Sequence, residues 1–146
     1  MPHPFPHRYE SSLHWTGDRT ANLLAPPRAP ITGSAPPEFD GTDQHWSPEH
    51  LLLSSVQLCL MLTFVSVAQK ARFEFLNYRS SAAGVVDKTP AGLAVTEIAV
   101  TVDLTLPSGA DPQKGVELMS TAKKYCLVSN SVKSAITLET RTTIAS

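Results

Sequence analysis

Two cysteines carry most of the reactive chemistry this chain offers, and both stand in apolar surroundings. Cys59 lies in the run Ser54-Ser55-Val56-Gln57-Leu58-Cys59-Leu60-Met61-Leu62, and Cys126 closes Lys123-Lys124-Tyr125-Cys126. By position alone each reads as a small buried hydrophobe, since cysteine is among the most buried residue types. A reactive thiol must first become a thiolate, and apolar burial raises its pKa. Cys59 therefore needs help, and the sequence points to a cation to provide it. Lys123 and Lys124 read as a solvated helix face. Arg19 ends the turn Thr16-Gly17-Asp18-Arg19, and Arg28 sits in Pro26-Pro27-Arg28-Ala29-Pro30. Glu49 reads as a first-turn acid that complements a helix dipole. The histidines (His3, His7, His14, His45, His50) have no metal-ligand spacing, so neither a metal nor a cofactor is expected. No phosphate-cradling glycine loop, nucleophile elbow or zinc-type cysteine pairing occurs.

The bulk numbers narrow the setting of these thiols. The chain has 146 residues, 42% hydrophobic and 17% charged, with a formal net charge of −1. That is one domain's worth of sequence with enough apolar residues for a core. It has no basic excess with which to grip nucleic acid or an acidic membrane surface. The opening Met1-Pro2-His3-Pro4-Phe5-Pro6-His7-Arg8 has neither the apolar segment nor the cleavage site of an export signal. A cytoplasmic location is expected, where thiols are kept reduced. The cysteines are then either two free core thiols or a redox pair.

The elements that must position them follow from periodicity. Arg8 to Trp15 alternates as a strand, and Arg19 to Leu24 returns as the second arm of a hairpin. From Ala25 to Gly41 the repeated prolines force extended backbone and forbid helix. Ser47-Pro48-Glu49 then opens a long helix running to about Ala71, with Ser47 as N-cap and Pro48 at the first helical position. That helix is apolar almost all round, as in a core helix or a membrane span. Ser54, Ser55, Gln57, Thr63 and Ser66 interrupt it, and the strands that follow need something to wrap. It reads as a core helix, and no membrane is expected.

Phe73 to Val86 and Leu93 to Leu106 flank the turn cluster Asp87-Lys88-Thr89-Pro90-Ala91-Gly92. In the second arm Ile98, Val100, Val102, Leu104 and Leu106 share one face, while Glu97, Thr101, Asp103 and Thr105 share the other, as in a strand with one wet side. Asp111-Pro112 opens a second helix with Val116, Met119, Ala122 and Cys126 along its apolar stripe. Ala135 to Ile144 is a last strand. The result is an α+β fold with helices packed on curved antiparallel sheet. It forms one domain over residues 1–146, with 1–7 as a flexible extension.

The stretch Gly41-Thr42-Asp43-Gln44-His45-Trp46-Ser47-Pro48-Glu49-His50-Leu51-Leu52, followed by Cys59, resembles the central signature of the OsmC/Ohr family. There a Gly-Thr-Asn-Pro-Glu-x-Leu segment leads into a buried helix bearing a peroxidatic cysteine. Cys126-Leu127-Val128-Ser129 resembles the family's second signature, Cys-Pro-x-Ser. Leu93 to Ile98 and Leu106 to Asp111 are similar to its strand and Pro-Gly turn. Ser47 stands for the usual Asn, Leu127 for Pro and Leu60 for a common Phe, which marks a divergent OsmC-like branch.

The resemblance implies an OsmC-like fold, with curved antiparallel sheets around a long buried central helix, in an intertwined two-fold dimer. It implies a peroxidase for organic hydroperoxides in which Cys59 becomes a sulfenic acid and Cys126 resolves it to a disulfide. Arg19 would hold the Cys59 thiolate and Glu49 would orient the guanidinium, with Arg28 as the rival arginine. A dithiol of lipoyl type would restore the thiols. Helix geometry adds a constraint: ten residues separate Glu49 from Cys59 by about 15 Å along an axis. If both serve one site, Glu49 and its arginine come from the partner subunit of a two-fold dimer. Two other readings stay open. One is a non-catalytic binding module whose cysteines line an apolar pocket. The other is a hot-dog thioesterase or dehydratase using Glu49 or His50.

Overall fold

The structure is a computed structural model that describes residues 3–146. Met1 and Pro2, the start of the expected flexible extension, lie outside the described residues. The chain forms two compact units, Met1–Leu51 and Leu52–Ser146.

The first unit is an antiparallel sheet of β1 (Ser12–Gly17), β2 (Thr20–Leu24) and β3 (Ile31–Ser34), in that order. The expected hairpin is there, and its turn uses Gly17 at φ 127° and Asp18 at φ 49°. Glycine and aspartate are residues that tolerate this half of conformational space. The proline-rich stretch does more than stay extended. Between its prolines, Ile31–Ser34 pairs with β2 as a third strand. The Ser34 N–H then donates to the Trp46 carbonyl at 2.9 Å, tying the sheet to the segment that leads into the long helix. Gly41 has a steric reason, because a Cβ there would run into the Ala35 carbonyl.

The long helix α1 spans Pro48–Lys70. Ser47 caps it as expected: its Oγ accepts the His50 N–H at 3.1 Å and bonds His50 Nδ1 at 2.6 Å. The second unit sets α1 from Leu52 onward, with α2 (Pro112–Tyr125), against a sheet of β4 (Asn77–Thr89), β5 (Gly92–Leu106) and β6 (Ala135–Ile144). The sequence alternation in β5 is realised, since Ile98, Val100, Val102, Leu104 and Leu106 are all buried. They meet Val56, Leu60, Phe64 and Ala68, one i, i+4 stripe of α1, and Leu118, Met119 and Ala122 of α2. Asp111 caps α2 by accepting the Gln113 N–H at 3.0 Å.

Two features differ from expectation. The second sheet is mixed rather than wholly antiparallel, because β6 runs parallel to β5 in register from Glu97↔Ala135 to Leu106↔Ile144. The α2 crossover is the cause: a helix between two neighbouring strands carries the chain back to the starting end. Helix α1 is also not enclosed within one chain. It is the one described helix long and apolar enough to cross a membrane. Its core stripe is covered, but Leu58 and Leu62 remain 57% and 54% exposed.

Candidate functional site

The second unit brings the two thiols together. Cys59 lies mid-way along α1 and is half-buried, while Cys126 is fully covered. Thr63, one turn after Cys59, donates its hydroxyl to the Cys59 carbonyl at 2.7 Å and lies against the thiol. Cys126 is the first residue beyond α2, in extended conformation at φ −70° and ψ 111°. From there the backbone doubles back over the sulfurs. The Asn130 N–H donates to the Cys126 carbonyl at 3.0 Å, and the Ser131 hydroxyl to the Leu127 carbonyl at 2.7 Å. The Ser129 hydroxyl and N–H point at the Cys126 sulfur from 3.1 and 3.5 Å. Cys59 and Val128 pack against the same buried core to which Cys126 belongs.

This arrangement divides the thiols by charge. Burial pushes Cys59 up, but the Val128 N–H, the Cys126 thiol, Thr63 and the Leu127 N–H together bring its pKa below the ordinary value. Burial pushes Cys126 up as well; the Ser129 donors oppose this, and the neighbouring Cys59 anion reinforces it. The two shifts run in opposite directions, so Cys59 ionises before Cys126 as pH rises. Tyr78 packs against the same core, beside Phe64. Burial and the nearby Cys126 push its phenol up to about 12, and its hydroxyl has no hydrogen-bond partner among the described residues. Within the second unit, the groups that lower the Cys59 pKa are uncharged donors.

The other candidate residues lie in the first unit. Arg19 lines a cavity of about 490 Å³ with Leu13, Trp15, Leu23, Trp46 and Leu51. Its guanidinium has no ion-pair or hydrogen-bond partner among the described residues, and Glu49, in the first turn of α1, does not pair with it. Arg28 is held by its own loop, where Nη1 reaches the Ala25 carbonyl at 3.4 Å. Among the described residues no group of three or more His, Cys, Asp or Glu side chains is placed to hold a metal ion. Sequence reasoning missed Thr63, Tyr78 and the amides of Leu127 and Val128. Thr63 could have been found from its i+4 spacing to Cys59. The amides leave no trace in a sequence, since every residue but proline has one.

Comparison with known proteins follows the same lines. No curated protein matches the sequence. An OsmC-like protein of unknown function from Vibrio cholerae is similar in fold, with a TM-score of 0.85 at 20% identity over 92% of this chain and 99% of that one. An organic hydroperoxide resistance protein from Elizabethkingia anophelis gives a TM-score of 0.77 at 15% identity over 97% and 99%. Another, from Legionella pneumophila, gives 0.73 at 15% over 96% and 99%. The family model for OsmC-like protein matches residues 41–141, which include both cysteines, and this chain therefore belongs to the OsmC-like protein family.

Proposed function

We propose that this protein is a thiol-dependent peroxidase for organic hydroperoxides. The observation that carries the reading is that the fold packs Cys59, whose pKa is lowered, against the same core as Cys126, whose pKa is raised. The Cys59 thiolate attacks the terminal peroxide oxygen. An S–O bond forms, the O–O bond breaks, and the alkoxide leaves and takes up a proton as the alcohol. The Cys126 sulfur then attacks the sulfenic sulfur; the S–S bond forms, and the hydroxyl leaves as water with the Cys126 proton. An external dithiol of lipoyl type supplies two electrons and returns both thiols. Leu58, Leu60, Met61 and Leu62 around Cys59 favour an alkyl or lipid hydroperoxide over hydrogen peroxide. The protein works in the cytoplasm, without membrane or nucleic acid.

The working form is a homodimer. The exposed Leu58 and Leu62 on α1 are large apolar residues without cover in one chain. The helical distance from Glu49 to Cys59 supports a site to which the partner brings its arginine and carboxylate. The deciding experiment follows peroxide consumption with a dithiol donor, and peptide mapping follows the thiols. An alkyl hydroperoxide should be consumed faster than hydrogen peroxide and leave an intramolecular Cys59–Cys126 disulfide. Stable free thiols with no turnover would point instead to a binding module whose cysteines only line a pocket. Activity that survives loss of both cysteines would point to the hot-dog chemistry of Glu49 or His50.

The arginine can be tested separately. A fixed positive charge beside a thiolate lowers its pKa by one to three units. Arg19→Ala should therefore slow peroxide attack about tenfold or more while leaving fold and dimer intact. Glu49→Ala should act in the same direction but less strongly, because the charge survives and only its position is lost. Arg28→Ala should change little, since that side chain is engaged with its own loop. If Arg28→Ala does the damage and Arg19→Ala is silent, the activating arginine is Arg28.

A further inference from the structure

Cys126 is fully buried, and its sulfur meets two donors from a single residue, Ser129. The Ser129 hydroxyl donates to Sγ at 3.1 Å, and the Ser129 N–H donates to it at 3.5 Å. The turn that carries Ser129 is fixed on both sides of it. The Cys126 and Val128 carbonyls accept the N–H groups of Asn130 and Ser131, each at 3.0 Å, and Asn130 Nδ2 reaches back to the Lys124 carbonyl at 3.1 Å. Both donors are therefore in place before any reaction begins. A hydrogen bond to a charged acceptor is stronger than one to a neutral acceptor. These two bonds gain strength whenever Cys126 carries negative charge.

We propose that Ser129 stabilises the Cys126 thiolate through these two bonds, and so makes Cys126 the sulfur that leaves when a dithiol reduces a Cys59–Cys126 bridge. The bridge itself is taken from the peroxidase reading. Exposure points the same way, since Cys126 is 0% exposed whereas Cys59 is only half-buried. In thiol–disulfide exchange, access decides which sulfur is attacked, and a sulfur that bears charge well leaves faster. The external thiolate attacks Cys59; a new S–S bond forms and the Cys59–Cys126 bond breaks. Its electron pair goes to Cys126, which takes up the proton that the reductant has lost. The reductant's second thiol then attacks its own sulfur in the mixed disulfide, releases Cys59 as thiolate and becomes a cyclic disulfide. Without Ser129, the first step would leave an anion in an apolar core, where burial disfavours charge.

Cys126 can be read alone in a Cys59→Ser background. With cysteine Cβ labelled by carbon-13, the Cβ resonance follows ionisation of the one remaining thiol. Ser129→Ala deletes the hydroxyl and keeps the N–H. It should raise the Cys126 pKa by about one unit, which is tenfold in the ionisation equilibrium. Ser129→Thr keeps a hydroxyl at the same place and should titrate as with Ser129 intact. A substitution that only disturbed the turn would lower the unfolding midpoint without moving this titration. With Ser129 intact, its own amide resonance should move as Cys126 ionises. A titration unchanged by Ser129→Ala would overturn the proposal, and so would a Ser129 amide that ignores the titration.

The leaving sulfur is read on the chain with both cysteines. Diamide forms the bridge, so that no hydroperoxide enters, and a short pulse of 2-mercaptoethanol is quenched with acid. Peptide mapping should find the adduct on Cys59 with Cys126 as free thiol, and Ser129→Ala should slow the step by roughly threefold or more. An adduct on Cys126 would overturn the assignment, as would the absence of any bridge under diamide. Hydroperoxide consumption is scored separately. The expected adduct and titrations in a protein that consumes no hydroperoxide would sink the peroxidase reading and leave this inference standing.

Discussion

Cys59→Ser should abolish hydroperoxide reduction, whereas Cys126→Ser should consume about one equivalent per site and then stall. A hydroxyl is a far weaker nucleophile than a thiolate at neutral pH, so no first step occurs without the Cys59 sulfur. Loss of Cys126 removes the partner for the sulfenic acid but spares the first attack. Cys59 keeps its packing against the core in that variant, and only the second thiol is gone. The stalled enzyme should carry sulfenic or over-oxidised acid on Cys59, visible as added oxygen in the intact mass. Burst amplitude and peptide mass are the readouts. An equal loss of the first turnover in both variants would contradict the division of roles.

Phe64→Ala gives the largest loss of stability expected from a single core change. Phe64 is fully buried at the centre of the second unit. Its ring meets Phe75 edge-on at 5.1 Å between centroids and Tyr78 at 5.7 Å. Truncating a buried phenylalanine costs about 3–5 kcal/mol, through lost transfer energy and the cavity left behind. The paired aromatic geometry places this site towards the upper end. Urea unfolding at fixed protein concentration measures it as a lowered midpoint with an unchanged slope. A change below about 1 kcal/mol would mean that neighbouring side chains close over the hole. Phe64 lies one turn beyond Leu60 on the stripe that faces the sheet, so the variant should also loosen the Tyr78 side of the thiol site.

The parts of the fold legible in the sequence are those set by short-range rules. The five apolar positions of β5 could be assigned to one face because strand side chains alternate with a period of two. Ser47-Pro48-Glu49 and Asp111-Pro112 marked helix starts because the first turn of a helix has free N–H groups for a cap to satisfy. Helix α1 gave less. A helix apolar on every face does not say which stripe is covered, and the fold covers only the one through Val56, Leu60, Phe64 and Ala68. The direction of β6 was also hidden, since strand alternation reads the same parallel or antiparallel. At the site, the two cysteines and Ser129 were visible as residue types. Their contact depends on tertiary packing, and the donors to Cys59 include backbone groups that carry no sequence signal.

The contact between Cys59 and Cys126 joins residues separated by the whole β4–β5 hairpin and α2. In an unfolded chain such distant thiols would meet at an effective concentration of only millimolar order. Folding holds them side by side, so the native state makes their oxidation to one bridge far more favourable than the chain alone would. The relation is reciprocal. A bridge closing a loop of that length removes on the order of 4 kcal/mol of unfolded-state entropy. On the proposed reading, oxidant level and resistance to unfolding would thereby be tied together, and a Cys59–Cys126 bridge would also set how firmly the second unit holds its shape.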